Sequence, residues 1–299
     1  MFIIKYKKIF IAISAVLVAL AIVAILAFGL RLGIDFKGGS QLDVVYDAEL
    51  PESQAVRSAL SEVGIENALI QPLGTNEYII KTRPLTQEER EKTLRVLDDK
   101  YSGSVSEKSF TTIGPSVGNE LVRKSIIAII LVVIGIILYI TYSFRHVSKP
   151  VASWKYGTIA IITLLHDVII PTGIFAVLGY INGMELDTLF IVAVLTILGL
   201  SVSDTIVVFD RVRENLRAKK YETFSETVGQ SLNQTFTRSI NTSLTTLLVL
   251  LSLAFFGPES TRMFSAMLAA GMFFGTYSSL FLASPLLVAW EKLSPQKAE

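Results

Sequence analysis

The hydrophobic pattern of the chain consists mainly of long apolar runs rather than short alternating segments. Runs of about twenty apolar residues indicate transmembrane helices, because backbone polar groups in lipid must be satisfied within a helix. The pattern predicts a polytopic α-helical membrane protein with six spans, of which the fifth is polar over its first half. The spans are Ile9–Leu30, Ser125–Phe144, Tyr156–Ile181, Thr188–Phe209, Phe236–Phe256 and Met263–Trp290.

The segment 31–124, between the first two spans, carries mixed charges and shorter periods, which predict an inserted soluble α+β domain. Thr86 is the expected N-cap of its second helix, with Glu89 as the capping-box partner. The predicted order βαββαβ is that of a ferredoxin-like fold. The elements are strand Gln41–Tyr46, helix Glu52–Val63, strands Ala68–Pro72 and Tyr78–Thr82, a helix ending near Tyr101, and strand Val105–Ile113.

The distribution of basic residues predicts the orientation in the membrane, since cytoplasmic loops carry an excess of Lys and Arg. The short loops 182–187 and 257–262 hold only Arg262. We therefore expect both termini in the cytoplasm, with residues 1–30 as N-terminus and first span, an extracytoplasmic domain over 31–124, and a cytoplasmic tail over 291–299. The basic residues on the opposite side are Lys5, Lys7, Lys8, Arg145, Lys149, Lys155, Arg211, Arg213, Arg217, Lys219, Lys220, Lys292 and Lys297.

The segment 210–235, within the bundle formed by 125–290, is predicted to be a cytoplasmic amphipathic loop. Phe224, Val228 and Leu232 recur on one side of a helix over Tyr221–Thr235. A helix with one apolar side and one polar side is typical of a segment lying along a membrane surface.

Composition excludes several classes of function. The chain has 299 residues, of which 51% are hydrophobic and 18% charged, and no Cys. Its mean hydropathy is +0.55. The absence of Cys excludes disulfides, thiol catalysis and cysteine-ligated metals, and no phosphate-binding GxxxxGK[ST] motif is present. We expect no enzymatic activity, cofactor, metal or nucleic-acid partner, so any work must draw on an ion gradient or on a partner.

Asp204 is the main candidate for chemistry. It lies six residues before Asp210, which places it roughly 9 Å inside the expected cytoplasmic boundary. Ser201, one turn earlier, shares its face. Charged groups at membrane depth are costly and mark ion or proton pathways. Asp204 is therefore interpreted as a carboxylate that takes up and releases a proton, with a polar packing residue as the alternative.

Arg238, at the start of the fifth span, is the candidate partner of Asp204. Asn241, Thr242 and Thr245 follow it at helical spacing, so that one face of the helix is polar for two turns. Two interpretations stay open: a buried functional Arg, and an interface anchor whose head group reaches the lipid surface.

His166 and Asp167 lie near the middle of the third span. Adjacent helical residues point about 100° apart and do not share one face. The pair is interpreted as mainly structural, with Asp167 orienting the bundle or satisfying a helix end. A place in a proton relay is the alternative.

Six ordered motifs give the chain a resemblance to the SecD/SecF family of protein-export membrane proteins, within the RND superfamily. The resemblance covers nearly the whole chain. The motifs are Gly33–Gly39 (GIDFKGG), Gly114–Leu121 (GPSVGNEL), Leu165–Val168 (LHDV), Ser203–Asn215 (SDTIVVFDRVREN), Asn233–Leu248 (NQTFTRSINTSLTTLL) and Gly275–Leu287 (GTYSSLFLASPLL).

The resemblance implies a subunit that pairs with SecD and assists the SecYEG translocon and the SecA motor. It would use the proton motive force, or a sodium gradient as in some relatives, to pull unfolded preprotein outward through the outer domain. Asp204 and Arg238 match the family's proton-pathway residues, and a further acid comes from SecD. The family pattern has Asn before the fourth-span Asp, where this chain has Ser203, whose shorter hydroxyl can still bond the carboxylate.

Three hypotheses of function follow. The first is proton-coupled protein translocation. The second is half of an RND-type exporter of small molecules or lipids, although such transporters have two repeats and larger outer domains. The third is a passive scaffold in which Asp204 and Arg238 only assemble a complex.

Overall fold

The computed structural model describes residues 2–47, 50–101, 105–145 and 151–292. It contains six helices long and apolar enough to cross a membrane, which confirms the predicted six-span architecture. A short helix α1 (Phe2–Lys5) precedes them. The six membrane helices are α2 (Lys7–Phe28), α6 (Pro115–Ser143), α7 (Ser153–Asn182), α8 (Thr188–Arg217), α9 (Phe224–Phe256), and α10 (Glu259–Ser278) continued by a π-helical turn (Ser279–Ala283) and α11 (Ser284–Lys292).

The segment 210–235 is not a separate loop, because most of it continues two spans, although the helix predicted over Tyr221–Thr235 is present from Phe224 on. α8 runs on to Arg217, and α9 already begins at Phe224, where the Thr223 side chain accepts a hydrogen bond from the Glu226 N–H. No proline interrupts either helix, so each helix continues through polar residues beyond its apolar span. The apolar side of the segment is real but packs inside the bundle: Val228 and Leu232 are buried, and Leu232 contacts Val208 and Leu280.

The chain divides into two compact units, of which the second comprises Leu32–Ile126 and Glu185–Thr188. Its sheet is antiparallel with the strand order β2–β3–β1–β4, and β1 pairs with both β3 and β4. The order βαββαβ and this strand arrangement confirm the predicted ferredoxin-like domain. Its elements are α3 (Ile34–Lys37), β1 (Gly39–Tyr46), α4 (Ser53–Glu62), β2 (Leu69–Leu73), β3 (Glu77–Thr82), α5 (Gln87–Lys100) and β4 (Val105–Ile113).

The core of this unit follows from the strand and helix periods. β1 alternates buried and half-buried residues, and α4 turns Val56, Ala59 and Leu60 inward. Their side chains join one apolar cluster with the neighbouring strands. The predicted capping box of α5 is confirmed, since Thr86 and Glu89 bond each other's backbone N–H groups.

The glycine-rich motif after the first span is a point of close backbone approach. Gly38 has a φ of +78°, and a Cβ atom there would lie 2.9 Å from the Pro115 Cα. A Cβ on Gly118 would lie 2.7 Å from the carbonyl oxygen of Phe36. Only glycine fits these positions, so the two motifs around Gly38 and Gly118 form one packed junction.

The same motif also caps a membrane helix. Asp35 accepts hydrogen bonds from the backbone N–H and the hydroxyl of Thr188, both at 2.8 Å, and Thr188 is the first residue of α8. Gly33 N–H donates to the Leu186 carbonyl at 2.7 Å, and Lys81 pairs with Glu185 at 2.9 Å. The loop 185–188 is therefore held by residues of the second unit.

The helices of the membrane unit approach one another through small residues. A Cβ on Gly173 of α7 would lie 2.6 Å from the Cα of Ala21 in α2. A Cβ on Gly271 of α10 would lie 2.2 Å from the Ile197 side chain in α8. Close packing at small residues is the usual means of helix association in lipid, where apolar side chains alone provide little driving force.

Candidate functional site

A buried carboxylate lies at the centre of the bundle. Asp167 of α7 has no exposed surface and accepts hydrogen bonds from three side chains. His166 Nδ1 lies 2.8 Å from Asp167 Oδ1, and Ser278 Oγ of α10 donates to Oδ2 at 2.7 Å. Ser201 Oγ of α8 donates to the same Oδ2. We call these four residues the Asp167 cluster; it joins three membrane helices.

The backbone explains how the cluster can form. Gly275 lies one turn before Ser278, and a Cβ there would lie 3.2 Å from the Ser201 Cβ and 3.7 Å from Asp167 Oδ2. A larger residue at Gly275 would separate α10 from α8, so the glycine brings both hydroxyls within reach of one carboxylate. A second bond between the same helices follows at Thr205 and Ser279, whose hydroxyl oxygens are 2.8 Å apart.

Asp204 lies one turn beyond Ser201 on α8 and is half-buried. Its Oδ2 atom is buried and has no hydrogen-bond partner among the described residues. Asp204 and Ser201 line a small cavity between α8 and α10, together with Gly271, Gly275 and Thr276 among others. Its volume of about 10 Å³ is close to what one water molecule needs.

Arg238 lies on the outer face of the bundle, so the structure answers the question that the sequence left open. We define the outer face of α9 by Arg238, Asn241 and Thr245, which are all exposed. Thr245 bonds only backbone carbonyls of its own helix. No ion pair within 4 Å joins Arg238 to Asp204 in the part of the chain that the structure describes. Arg238 is therefore exposed within this chain and makes no direct ion pair with Asp204, but its charge still acts on the Asp204 carboxylate.

Of the other predicted residues, some are exposed and some are buried in the Asp167 cluster. Ser203 is exposed and makes no hydrogen bond to Asp204 among the described residues, so the proposed replacement for the family's Asn does not act by direct contact here. Ser201, His166 and Asp167 are buried together. The two acids are thus linked through Ser201, which contacts one and shares a cavity with the other.

Sequence reasoning missed Ser278 as a ligand of the carboxylate and placed it only on a packing face. It also missed two polar links of α9, from Asn215 Nδ2 to Ser231 Oγ at 2.8 Å and from Thr276 Oγ1 to Ser243 Oγ at 2.6 Å. The sequence did show hydroxyl residues within apolar spans, which could have marked these positions. Their hydrogen-bond partners lie on helices distant in sequence, and the periodicity of one helix does not identify its partner on another.

Comparisons with known proteins agree with the geometry. The model of the family "Protein export membrane protein SecD/SecF, C-terminal" matches residues 93–293, and that of the "SecD/SecF GG Motif" matches residues 23–49. The chain is 41% identical to the protein translocase subunit SecF of Thermobaculum terrenum over 97% of its own length and 93% of that protein.

Longer relatives contain the chain as one part. It is 38% identical to the protein translocase subunit SecDF of Bacillus subtilis, covering 96% of this chain and 37% of that protein. A crystal structure of SecDF from Thermus thermophilus, described as a translocon-associated membrane protein, superposes with a TM-score of 0.83 at 34% identity. The match covers 97% of this chain and 38% of that one.

Proposed function

Because the chain belongs to the SecD/SecF family of protein-export membrane proteins, we propose that it couples proton movement across the membrane to a late step of protein translocation. The supporting comparison is the near full-length similarity to translocase subunits named SecF. The proton coupling rests on the residues of the bundle.

The observation that carries the proposal is the half-buried Asp204 with an unpartnered, buried Oδ2 atom beside a cavity. A carboxylate in this position is partly desolvated, and the one cation known to act on it, Arg238, forms no ion pair with it within 4 Å among the described residues. Proton binding neutralises such a charge. Access to one side of the carboxylate through the cavity allows the proton to enter and leave. Asp204 is thus the proton-carrying group of the proposal.

The outer face of α9 supports a membrane-embedded partner. Arg238, Asn241 and Thr245 point away from the bundle, and polar side chains at membrane depth are costly when they face lipid. The longer SecDF relatives, of which this chain matches 37%, contain further chain that can cover such a face. We propose a SecD-type bundle with its own acid as the occupant, facing Arg238.

The remaining parts of the proposal concern the setting. We propose the bacterial inner membrane with both termini in the cytoplasm, and cooperation with a SecYEG translocon and its SecA motor. The ferredoxin-like domain would then hold unfolded preprotein on the far side. Proton movement, with sodium as the alternative ion, would drive a change of the bundle that this domain follows.

The variant Asp204→Asn tests the proposal, because the amide cannot carry a proton but keeps the shape of the side chain. We expect the loss of proton-dependent stimulation of preprotein export in inverted vesicles, with the complex still intact on co-purification. Asp210→Asn is the matched control, since Asp210 is an exposed acid on the same helix that pairs with Arg213. Normal proton-dependent export by Asp204→Asn would refute the coupling, and loss of partner co-purification would favour the scaffold hypothesis.

A further inference from the structure

The proposed function needs only Asp204, and the Asp167 cluster adds a second buried carboxylate to the bundle. The inference drawn from this cluster rests on the proposed function. Burying a carboxylate costs desolvation free energy. This cost is not needed for helix association alone, because hydroxyl pairs such as Thr205–Ser279 already join α8 to α10 without charge. No Lys or Arg lies within 4 Å of Asp167 among the described residues, and the nearest titratable group is His166.

The geometry can stabilise both charge states of Asp167. As a carboxylate it accepts from His166 Nδ1, Ser201 Oγ and Ser278 Oγ, which satisfies a buried anion. As a carboxylic acid it can donate its Oδ2–H to Ser201 Oγ, since a hydroxyl both accepts and donates. The Ser201 proton then turns toward the cavity that Asp204 lines.

We propose that Asp167 is a second proton-carrying carboxylate, which exchanges its proton with Asp204 through the hydroxyl of Ser201. In the forward step the O–H bond of protonated Asp204 breaks, and its proton passes to Ser201 Oγ through one water in the cavity. The former Ser201 O–H bond breaks as its proton forms a bond to Asp167 Oδ2. Asp204 ends as a carboxylate, Asp167 as an acid, and Ser201 unchanged.

The groups around the cluster define the electrostatics of this exchange. From α7, His166 faces Asp167 and its Nε2 atom is buried without a partner among the described residues. From α10, the Tyr277 ring stacks on His166 at 6.0 Å between centroids. α8 carries Asp204, and from α9 the charge of Arg238 acts on Asp204. α2 presents no charged residue over Ile9–Phe28. A proton in this region therefore resides on one of the two acids or on His166.

The exchange has a structural consequence at α10. Ser278 donates to Asp167 and lies directly before the π-helical turn Ser279–Ala283, an element often found at functional positions. Its hydroxyl also lies 3.0 Å from the Gly275 carbonyl. Protonation of Asp167 weakens the first bond and favours the second, so the charge of Asp167 acts on the start of this turn.

Infrared difference spectroscopy of the full chain in lipid nanodiscs tests the proposal directly. Besides the bands of the exposed acids, we expect two protonated-carboxyl bands on acidification, one removed by Asp204→Asn and the other by Asp167→Asn. In Ser201→Ala, the Asp167 band should develop about 10²- to 10⁴-fold more slowly after a pH jump, which is the range for a lost proton-transfer group. Ser265→Ala is the matched control, because Ser265 is a buried serine of α10 bonded only to its own helix.

A second measurement keeps the test decisive if Asp167→Asn does not fold. The chain has two His residues, so His146→Asn leaves His166 as the sole ¹⁵N-histidine signal in the otherwise native chain. Its Nδ1 resonance should shift with pH as its acceptor becomes an acid, and Asp204→Asn should move the midpoint of that shift. A Nδ1 resonance that is constant between about pH 5 and 8, together with a single carboxyl band, would overturn the proposal.

The two proposals fail in different ways. If Asp204→Asn retains proton-dependent export, the proposed function fails whatever the spectra show. If that variant loses export while Asp167 never titrates and Ser201→Ala behaves like Ser265→Ala, only the second proton site is refuted.

Discussion

The ferredoxin-like domain and the membrane bundle differ in where their large apolar side chains lie. The ferredoxin-like domain buries a continuous apolar cluster around Leu42, Val44 and Leu60, as a protein in water does. The bundle turns large apolar side chains outward, among them Leu248 and Val249. Its helices also bury apolar side chains such as Val208, Leu232 and Leu280, but they approach most closely at glycines and hydroxyl groups, because apolar contacts between helices gain little over contacts with lipid.

The comparison teaches where each part is sensitive to substitution. In the ferredoxin-like domain, the volume of buried apolar side chains should control the free energy of unfolding. In the bundle, the absence of a side chain at a helix contact and the polar bonds of the Asp167 cluster should control it. The same substitution type therefore has different consequences in the two units.

The largest expected effect is that of Leu60→Ala in the outer domain. Leu60 is 1% exposed, and removing a fully buried Leu side chain costs about 2–5 kcal/mol. Pulse proteolysis of the full chain in detergent should detect this as faster cleavage within 31–124. Leu248→Ala, at a bundle position that is 57% exposed, is the control and should change the unfolding free energy by less than about 0.5 kcal/mol. Equal losses for both variants would contradict the comparison.

A smaller loss is expected for Gly173→Ala in the bundle. The added Cβ would lie 2.6 Å from the Ala21 backbone, and such overpacking costs about 1–3 kcal/mol. The thermal denaturation midpoint in detergent should fall. Gly135→Ala should keep or raise the midpoint, because nothing lies within 4 Å of its added Cβ. If both variants change the thermal midpoint equally, the contact between α2 and α7 does not depend on the missing side chain of Gly173.

The smallest expected effect concerns the pH dependence of the outer domain. A hydrogen bond from Arg83, and then one from the Thr86 backbone, lower the pKa of Glu89 to about 2. Since the folded pKa lies below the unfolded value of about 4.3, the stabilisation is complete above that value and is lost as pH falls toward about 2.

Hydrogen exchange of the first turn of α5 should therefore accelerate as the pH falls from about 4 to 2, beyond the intrinsic pH dependence of exchange. Glu89→Gln should remove this acceleration while keeping the cap, because Gln also serves in a capping box. Glu88→Gln removes a charge from the same turn and serves as control. An unchanged acceleration in Glu89→Gln would exclude Glu89 as its source.

The sequence was sufficient for the features that depend on neighbours along the chain. The six spans, the capping box at Thr86 and the order of strands and helices along the chain followed from length, period and capping residues. The loop predicted over 210–235 is mostly helical because α8 and α9 continue past their apolar spans. Hydropathy does not show where such a helix ends. Phe224 and Leu232 were assigned to the right side of a helix but to the wrong neighbour.

The candidate site was predictable in its acids but not in its connections. Asp204 and Asp167 stand out in apolar spans because charge at membrane depth is rare. That Ser201 faces both acids, and that Arg238 faces outward, depends on the rotation of each helix within the bundle. That rotation follows from contacts such as Gly275 against Ser201, which lie far apart in sequence.

The cap that Asp35 places on Thr188 makes the first residue of α8 part of the second compact unit. A helix is stiff along its axis, and the 13 residues from Thr188 to Ser201 span roughly 20 Å. One continuous helix therefore belongs to both compact units: its first residue lies in the second unit, and Ser201 and Asp204 lie in the first.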